Sequence, residues 1–200
     1  MNDTKMNKAI FLDRDGTIIE EKGYIYDLSQ SFIFPFSPAA VRYMNENQFK
    51  VIGVTNQSAI SRGICTLEQL ETIHSKIIAA LAQENAVIDR FYYCPFHPDF
   101  NIPAFKNQSH WRKPLPGMLL QAAKDFDLDL SESYMIGDDV VDIKAGKNAG
   151  CKTALVLTGK GREAKEKLLA QHIQPDIISE NILTAIKEIC TRRVLPLVEP

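Results

Sequence analysis

Short apolar runs alternate along the chain with longer segments in which apolar residues recur every three to four positions. A short apolar run between polar residues is typical of a buried strand, and the longer repeat is typical of a helix with one buried face. The pattern predicts strands at residues 8–12, 50–54, 88–93, 133–136, 153–157 and 175–178. It predicts helices at residues 38–47, 66–84, 117–126, 139–149, 162–171 and 181–192. This alternation indicates an α/β protein with one parallel sheet and helices on both faces.

Local signals mark where several of these helices begin and end. Ser37 followed by Pro38 predicts an N-cap and a first helical residue. Thr66 and Gln69 have the spacing of a capping box, in which each side chain bonds the backbone N–H of the other residue. Gly150 predicts the end of the fourth helix, since glycine readily adopts the left-handed conformation found there.

Residues 94–116 break the pattern. Proline removes a backbone N–H and excludes long regular elements, and the prolines here are Pro95, Pro98, Pro103, Pro114 and Pro116. An irregular loop of this length inside a compact domain usually has a function. We expect it to belong to one domain spanning residues 1–193, followed by a short tail at residues 194–200.

Composition and charge exclude several classes of protein. The chain has 200 residues, of which 45% are hydrophobic and 24% charged, and these values are typical of one globular domain. The net charge of -2 argues against nucleic-acid binding. No apolar run approaches the roughly 18 residues of a membrane span, and the run before Asp13 is too short for a signal peptide.

The cysteines indicate a reducing compartment. Cys65, Cys94, Cys151 and Cys190 are far apart and form no CxxC motif. A chain of this size needs no disulfide to fold, so we expect free thiols and a cytoplasmic location.

Carboxylates follow two of the predicted strands. Asp13 and Asp15 follow the first strand, and Asp138 and Asp139 follow the fourth. Parallel sheets bind ligands at the carboxyl ends of their strands, so these side chains are expected to converge. Crowded carboxylates require a cation, and oxygen ligands suit Mg²⁺. The alternative for Asp139 and Asp142 is a local role at the start of a helix, where acids complement the helix dipole.

Polar and cationic residues complete this candidate site. Lys113 lies at the end of the irregular loop next to Arg112, and Pro114 favours an extended backbone there. This placement favours contact with an anion over a solvated helical lysine. Residues 55–58, which follow the second strand, offer hydroxyl and amide groups.

Four motifs in this order resemble the haloacid dehalogenase superfamily of phosphotransferases. They are FLDRDGT at residues 11–17, VTNQS at 54–58, RKP at 112–114 and IGDD at 136–139. Longer matches at residues 22–24, 54–63, 92–98 and 111–118 resemble its D-glycero-D-manno-heptose 1,7-bisphosphate 7-phosphatases, which are related to histidinol-phosphate phosphatases. The resemblance covers about residues 8–160. It implies a Rossmann-like three-layer sandwich with a small loop-type cap and no large cap domain.

The resemblance also implies roles for individual residues. Asp13 would be the nucleophile and Asp15 the general acid and base, while Thr55 and Lys113 would stabilise charge on the phosphoryl group. Mg²⁺ would bind Asp13, the main-chain carbonyl of Asp15 and Asp138, with Asp139 as a further candidate ligand. Family members can carry lysine at the position of Asp139. The substrate-contacting positions would be Glu21, Lys22, Gly23, Tyr24, Asn56, Gln57, Ser58 and Arg112.

Three functions remain open at this stage. The first is a phosphatase acting on a heptose bisphosphate, for which Arg112 would hold the second phosphate. The second is another small-molecule phosphatase, above all one acting on histidinol phosphate, for which Asp139 would suit the amino group. The third is a non-catalytic phosphosugar-binding protein, which the complete set of chemical residues disfavours. The expected partner is a small sugar phosphate, without nucleic acid or membrane, and the expected state is a monomer.

The loop departs from the family at a zinc site. Many relatives bind structural zinc through a CxHH element and a later CxC, and here only Cys94 keeps its place. Phe96, Ser109 and Trp111 occupy the other ligand positions, so no structural zinc is expected. The alternative is a rearranged site of Cys94, His97 and His110. Otherwise the loop is expected to be held by the packing of its aromatic residues, namely Phe96, Phe100, Phe105 and Trp111.

Overall fold

A computed structural model describes residues 6–25, 27, 29, 32–100 and 102–194. Within them lie six strands: β1 (Lys8–Leu12), β2 (Phe49–Asn56), β3 (Arg90–Cys94), β4 (Tyr134–Gly137), β5 (Lys152–Val156) and β6 (Ile177–Ser179). The α-helices are α1 (Ser37–Glu46), α2 (Leu67–Ala82), α3 (Gly117–Phe126), α4 (Val140–Ala149), α5 (Gly161–Ala170) and α6 (Ile182–Val194). The amino-terminal residues 1–5 and the predicted tail beyond residue 194 lie outside the described residues.

The strands form one parallel sheet in the order β3-β2-β1-β4-β5-β6. Alternate residues of β1 show how its two faces are buried. Ile10 and Leu12 pack in one apolar cluster with residues of α1, α2 and α6. Ala9 and Phe11 pack in another cluster with residues of α3 and α4. The result is the predicted three-layer sandwich, with helices covering both faces of the sheet.

Most predicted elements are confirmed, with bounds that shift by a few residues. β1 and α3 have the predicted bounds, and Thr66 and Gln69 form the capping box. Gly150 ends α4 in the left-handed conformation, at φ 83°. The predicted N-cap at Ser37 is wrong, because Phe36 takes that position and the buried Ser37 hydroxyl donates to the carbonyl of Ile18.

The segments before α1 and before α3 supply the small cap. In the segment before α1, an antiparallel bridge joins Ile19 and Ile33. Residues 95–116 contain a 3₁₀ segment, Pro103–Trp111, which the proline pattern did not predict. Within the described residues neither segment is large enough for a separate cap domain, in agreement with the expectation.

None of the helices among the described residues is both long and apolar enough to span a membrane.

Candidate active site

The order of the strands in the sheet reverses between β1 and β4, and the candidate site begins there. Asp13 follows β1 and Asp138 follows β4, and these two strands are neighbours although they are far apart in sequence. Two glycines let the loops close around the Asp138 carboxylate, since a methyl group built on Gly16 or Gly159 would overlap it. Gly16 also has φ of 77°, which disfavours other residues. This is the crevice in which open parallel sheets bind their ligands.

Three buried carboxylates meet in this crevice. Oxygen atoms of Asp13, Asp138 and Asp142 all lie within 4.8 Å of one another. Asp138 accepts hydrogen bonds from the Thr17 hydroxyl at 3.3 Å and the Lys160 backbone N–H at 2.8 Å. Oxygen atoms at this spacing could hold a small hard cation.

Burial and mutual repulsion make this cluster unfavourable without a cation. Desolvation raises the pKa of Asp13, despite the nearby Lys113. It raises the pKa of Asp138 to about 8 and that of Asp142 to about 7, with Asp13 adding to both shifts. Among the described residues, these three carboxylates have one ammonium in direct contact, so the site favours a further positive charge.

That ammonium belongs to Lys113. Its Nζ lies 2.7 Å from Asp13 Oδ1 and 2.6 Å from Asp142 Oδ1, and it donates to the Val54 carbonyl at 2.8 Å. Burial by itself would lower the pKa of Lys113, but the contacts with the two carboxylates outweigh it and raise the pKa. Lys113 is therefore fixed as a cation directly beside the Asp13 carboxylate.

Asn56 holds the backbone of Lys113 in place. The Lys113 N–H donates to Asn56 Oδ1 at 3.0 Å, and Asn56 Nδ2 donates to the Lys113 carbonyl at 3.1 Å. Asn56 was predicted to contact the substrate, but its side-chain amide forms hydrogen bonds with the Lys113 backbone.

Asp142 is the site residue that sequence reasoning placed elsewhere. It sits in the first turn of α4, and its Oδ2 accepts the Asp139 backbone N–H, as expected for a helix-capping acid. Its other oxygen meets Lys113, a contact between distant parts of the chain. Asp139 caps α4 through a long hydrogen bond from the Val141 N–H. The carboxylates of Asp139 and Asp15 both lie outside the three-carboxylate cluster.

Asp15 faces the same cavity from the loop after β1. Arg14 donates to both of its oxygens, and Gln57 Nε2 donates to Oδ2 at 2.9 Å. Gln57 also donates to the Thr55 hydroxyl at 2.8 Å. Two of the predicted polar residues thus form one network with Asp15.

The cavity has a volume of about 720 Å³ and brings together nearly all predicted site residues. Those that line it are Asp13, Asp15, Glu21, Gly23, Tyr24, Thr55, Asn56, Gln57, Ser58, Arg112, Lys113, Asp138 and Asp139. Lys22 is the exception. Its ammonium pairs with Glu20 at 2.9 Å and lies over the Phe32 ring at 4.6 Å.

Cations that the sequence analysis did not assign also line the cavity. Arg62 Nη2 lies 3.3 Å from His97 Nε2, and the buried Nε of Arg62 has no hydrogen-bond partner among the described residues. Burial lowers the pKa of Arg112, and the nearby Arg62 adds to this shift. Lys160 pairs with Glu21 across the cavity at 3.1 Å. Arg62 lies inside the second long motif, which was the available signal for it.

The loop of residues 94–116 is held by aromatic packing, as predicted. Phe96 and Trp111 pack against the apolar cluster around Cys94, and Phe105 packs beside Cys65. The side chains considered for zinc have other partners. Cys94 Sγ lies 3.4 Å from the Gln108 carbonyl, and His97 lies beside Arg62. Whether the protein contains zinc stays a prediction.

The architecture and the site define a class of protein. A family model described as HAD-hydrolase-like matches residues 110–185, which include Lys113, Asp138 and Asp142. With Asp13 and Asp138 at the point where the strand order reverses, the chain is a hydrolase of the haloacid dehalogenase type.

Two relatives show to which family within this class the chain belongs. The chain is 38% identical over 187 residues to a D-glycero-D-manno-heptose-1,7-bisphosphate 7-phosphatase of Thermosynechococcus vestitus, covering 92% of this chain and 95% of that protein. It is 40% identical over 154 residues to the D-glycero-beta-D-manno-heptose-1,7-bisphosphate 7-phosphatase of Escherichia coli, covering 76% and 80%. It therefore belongs to the family of D-glycero-D-manno-heptose-1,7-bisphosphate 7-phosphatases.

A solved structure agrees with this assignment. The D,D-heptose 1,7-bisphosphate phosphatase from B. bronchiseptica, complexed with magnesium and phosphate, superimposes with a TM-score of 0.81 at 32% identity. The alignment covers 92% of this chain and 99% of that one.

Proposed function

We propose that this protein is a Mg²⁺-dependent phosphatase that removes the 7-phosphate of D-glycero-D-manno-heptose 1,7-bisphosphate, a reaction of heptose nucleotide-sugar precursor biosynthesis. The observation that carries the proposal is the cluster of Asp13, Lys113 and Asp138 at the carboxyl ends of β1 and β4, in a chain of this family. A nucleophile, a fixed cation and carboxylates suited to a metal ion are the parts that phosphoryl transfer requires.

The first half of the reaction transfers the phosphoryl group to Asp13. One oxygen of Asp13 attacks phosphorus, and the bond between phosphorus and the sugar oxygen breaks. Asp15 gives its proton to that departing oxygen. Lys113, whose Nζ lies 2.7 Å from Asp13, and the Thr55 hydroxyl balance the negative charge on the transferring group.

The second half hydrolyses the aspartyl-phosphate. Asp15 now accepts a proton from water, whose oxygen attacks phosphorus and releases inorganic phosphate. The Asp13 carboxylate is restored, and Asp15 has regained the proton it gave away, so each turnover consumes one water. Asp15 lines the cavity with Asp13, which suits both transfers.

The donor set fits Mg²⁺. Carboxylate oxygens of Asp13 and Asp138 would hold it, together with the Asp15 main-chain carbonyl. Asp142 forms an ion pair with Lys113 instead. Bound Mg²⁺ would offset the charge of the carboxylates and of the phosphoryl oxygens. Burial and the neighbouring Asp13 and Asp142 carboxylates raise the pKa of Asp138, so a cation beside it would stabilise its ionised form.

Arg112 and Arg62 would bind the phosphate that stays on the sugar. Both line the cavity, on the side formed by the irregular loop, and their mutual repulsion is relieved by an anion. We predict that Arg112→Met lowers kcat/KM for a heptose bisphosphate roughly 10- to 100-fold, the scale of one charge-assisted hydrogen bond. For the corresponding monophosphate the loss should be much smaller. Steady-state kinetics on both substrates check this, with Arg42→Met on α1, outside the cavity, as control.

An equal loss on both substrates would contradict the assignment. Arg112 also donates to the Phe96 carbonyl at 3.1 Å, so a general loosening of the loop would affect every substrate alike. Arg62→Met, which leaves that hydrogen bond intact, is expected to show the same preference for the monophosphate.

Two acids that line the cavity favour a second candidate substrate. Glu21 and Asp139 both line the cavity and would suit the amino group of histidinol phosphate. Phosphate release from heptose 1,7-bisphosphate, fructose 1,6-bisphosphate and histidinol phosphate decides between them. We expect the heptose bisphosphate to have the highest kcat/KM, and a clear preference for histidinol phosphate would overturn the substrate assignment. Omitting Mg²⁺ with excess chelator should abolish release in every case.

The stability of the metal-free protein is expected to depend on pH. Because burial raises the pKa of Asp138 from 3.8 to about 8, the folded protein keeps a proton in this interval that the unfolded chain releases. The metal-free protein should therefore lose stability as pH rises from about 4 to about 8. We predict that Asp138→Asn reduces this loss and raises the Tm of the metal-free protein at pH 8, since asparagine does not ionise.

Thermal unfolding with and without Mg²⁺ measures both effects. Mg²⁺ should raise the Tm of the wild-type protein at pH 8 and leave that of Asp138→Asn nearly unchanged. Asp139→Asn is the matched control, because asparagine caps a helix about as well as aspartate and Asp139 lies outside the cluster. The same Mg²⁺ stabilisation in Asp138→Asn and wild type would remove Asp138 from the metal site.

The location and the assembly state remain proposals. The four cysteines are free and buried, which suits a reducing cytoplasm. We propose a monomer that acts on a small sugar phosphate and binds neither nucleic acid nor membrane. Size-exclusion chromatography with light scattering checks the assembly state.

A further inference from the structure

Both oxygens of the Asp15 carboxylate accept hydrogen bonds from neighbouring side chains. Arg14 Nη2 lies 2.9 Å from each of its oxygens, and Arg14 Nε lies 3.1 Å from Oδ1. Gln57 Nε2 adds a hydrogen bond to Oδ2 at 2.9 Å. A planar guanidinium that reaches both oxygens restricts the rotation of a carboxylate more than a single donor does.

Arg14 reaches Asp15 although the two residues are adjacent. In an extended strand its side chain would point away from those of Asp13 and Asp15. The chain turns instead, because the backbone N–H groups of Ile18 and Ile19 both donate to the Arg14 carbonyl, at 2.9 and 3.0 Å. The Arg14 side chain is only 1% exposed and pairs with a carboxylate that lines the cavity. The pair is thus largely buried and borders the cavity through Asp15, in contrast to ordinary surface ion pairs.

His74 supports the guanidinium from behind. It lies on α2, with Nε2 3.4 Å from Arg14 Nη1 and its ring stacked on Phe91 at 4.3 Å. Burial, together with Arg14, lowers the pKa of His74 to about 3, so the ring is neutral at pH 7. A neutral imidazole can accept a hydrogen bond from Arg14, whereas an imidazolium would repel it.

We propose that Arg14 is a positioning residue that holds the Asp15 carboxylate in the orientation required for proton transfer, with His74 fixing Arg14. The inference rests on the proposed function, since it assigns Asp15 the transfer of the proton. A general acid works only when the oxygen that carries the proton is within hydrogen-bond reach of the leaving oxygen. Arg14 thus acts on the reaction through Asp15 and does not touch the substrate.

A comparison of leaving groups separates this role from a structural one. A sugar alkoxide needs the proton of Asp15 to leave, whereas p-nitrophenolate leaves without one. In Arg14→Gln we expect kcat on the sugar bisphosphate to fall by about 10²-fold or more, the scale of general acid–base catalysis. With p-nitrophenyl phosphate, rapid mixing should still show a fast burst of p-nitrophenolate, followed by slow turnover because Asp15 serves as the base for the water. Equal slowing of the burst and of the sugar reaction would overturn the proposal.

A double-mutant cycle tests whether Arg14 acts through Asp15. In an Asp15→Asn background, Arg14→Gln should cause little further loss, because the group that it positions is gone. Independent, multiplicative losses would contradict the proposal. Arg14→Lys keeps the charge but not the two-pronged contact, so it should fail to restore the rate on the sugar bisphosphate. Full restoration would mean that charge alone matters.

His74→Phe tests the support of Arg14 and guards against misfolding. Phenylalanine keeps a ring stacked on Phe91 while it removes the nitrogen that faces Arg14. We expect a smaller loss on the sugar bisphosphate than in Arg14→Gln and the same retained burst. Unchanged kinetics in a folded His74→Phe would remove His74 from the proposal. Circular dichroism and thermal unfolding of each variant, with Arg42→Gln on α1 as control, show which variants are folded.

The same assays distinguish failure of this inference from failure of the proposed function. If Asp15→Asn slows the sugar reaction and a folded Arg14→Gln does not, only the positioning role is wrong. If Asp15→Asn leaves the sugar reaction unchanged, the acid–base role of Asp15 is wrong and the inference fails with it.

Discussion

Asp13→Asn is expected to abolish phosphatase activity while the protein stays folded. An amide does not form the acyl-phosphate, so turnover should fall by roughly 10⁵-fold or more, the scale seen when a covalent nucleophile is removed. The amide oxygen can still accept from Lys113, and the substitution removes one of three crowded carboxylates. The Tm of the metal-free protein should therefore be equal to that of the wild type or higher.

Phosphate release and acid-quench labelling check this expectation. Wild-type protein quenched during turnover with radiolabelled substrate should carry acid-stable phosphate on Asp13, and Asp13→Asn should carry none. Asp139→Asn is the control for loss of charge, because the Asp139 carboxylate lines the same cavity but lies outside the cluster. Substantial residual turnover in Asp13→Asn would remove Asp13 from the role of nucleophile.

Lys113→Met is expected to lower both activity and stability. Its ammonium lies within 2.7 Å of Asp13 and Asp142, so it counters charge in the folded protein as well as on the phosphoryl group. Loss of such a donor lowers kcat by about 10²- to 10³-fold. We expect this loss for monophosphates and bisphosphates alike, unlike the selective effect of Arg112→Met.

The stability loss of Lys113→Met should depend on pH. Without the ammonium, Asp142 and Asp13 are buried carboxyls that are stable only when protonated. Burial already raises the pKa of Asp142 to about 7 with Lys113 present, so the destabilisation should be larger at pH 9 than at pH 5. Thermal unfolding of Lys113→Met and of the exposed Lys152→Met at both pH values measures this. An equal loss at both values would show that the ion pair is not its cause.

Local patterns account for how well the elements were predicted. β1 and α3 have the predicted bounds, because an apolar run between polar residues and an apolar helical face report burial directly. The N-cap prediction at Ser37 was wrong because a contact with a distant segment decides the position of this side chain. Its hydroxyl bonds the Ile18 carbonyl from a different segment, and no signal near Ser37 indicates that partner.

In the candidate site, too, some residues could be predicted from local patterns and others could not. Asp13, Thr55, Lys113 and Asp138 were predicted because each follows a strand or ends the irregular loop, and the ends of parallel strands meet. Lys22 was assigned to the cavity from its motif, but its ammonium is taken by Glu20. Arg62 was not assigned, although it lies within the longer motif at residues 54–63.

The sequence by itself determined the strand and helix order, the parallel sheet and most of the residues that line the cavity. These follow from hydrophobic periodicity and from motifs that depend on neighbouring positions. Only the tertiary structure decided which polar groups meet: Asp142 and Lys113, Arg14 with Asp15 and His74, and Arg62 beside His97. The physical reason is that ion pairs and hydrogen bonds depend on distance and burial in space, and the partners here are mostly tens of residues apart along the chain.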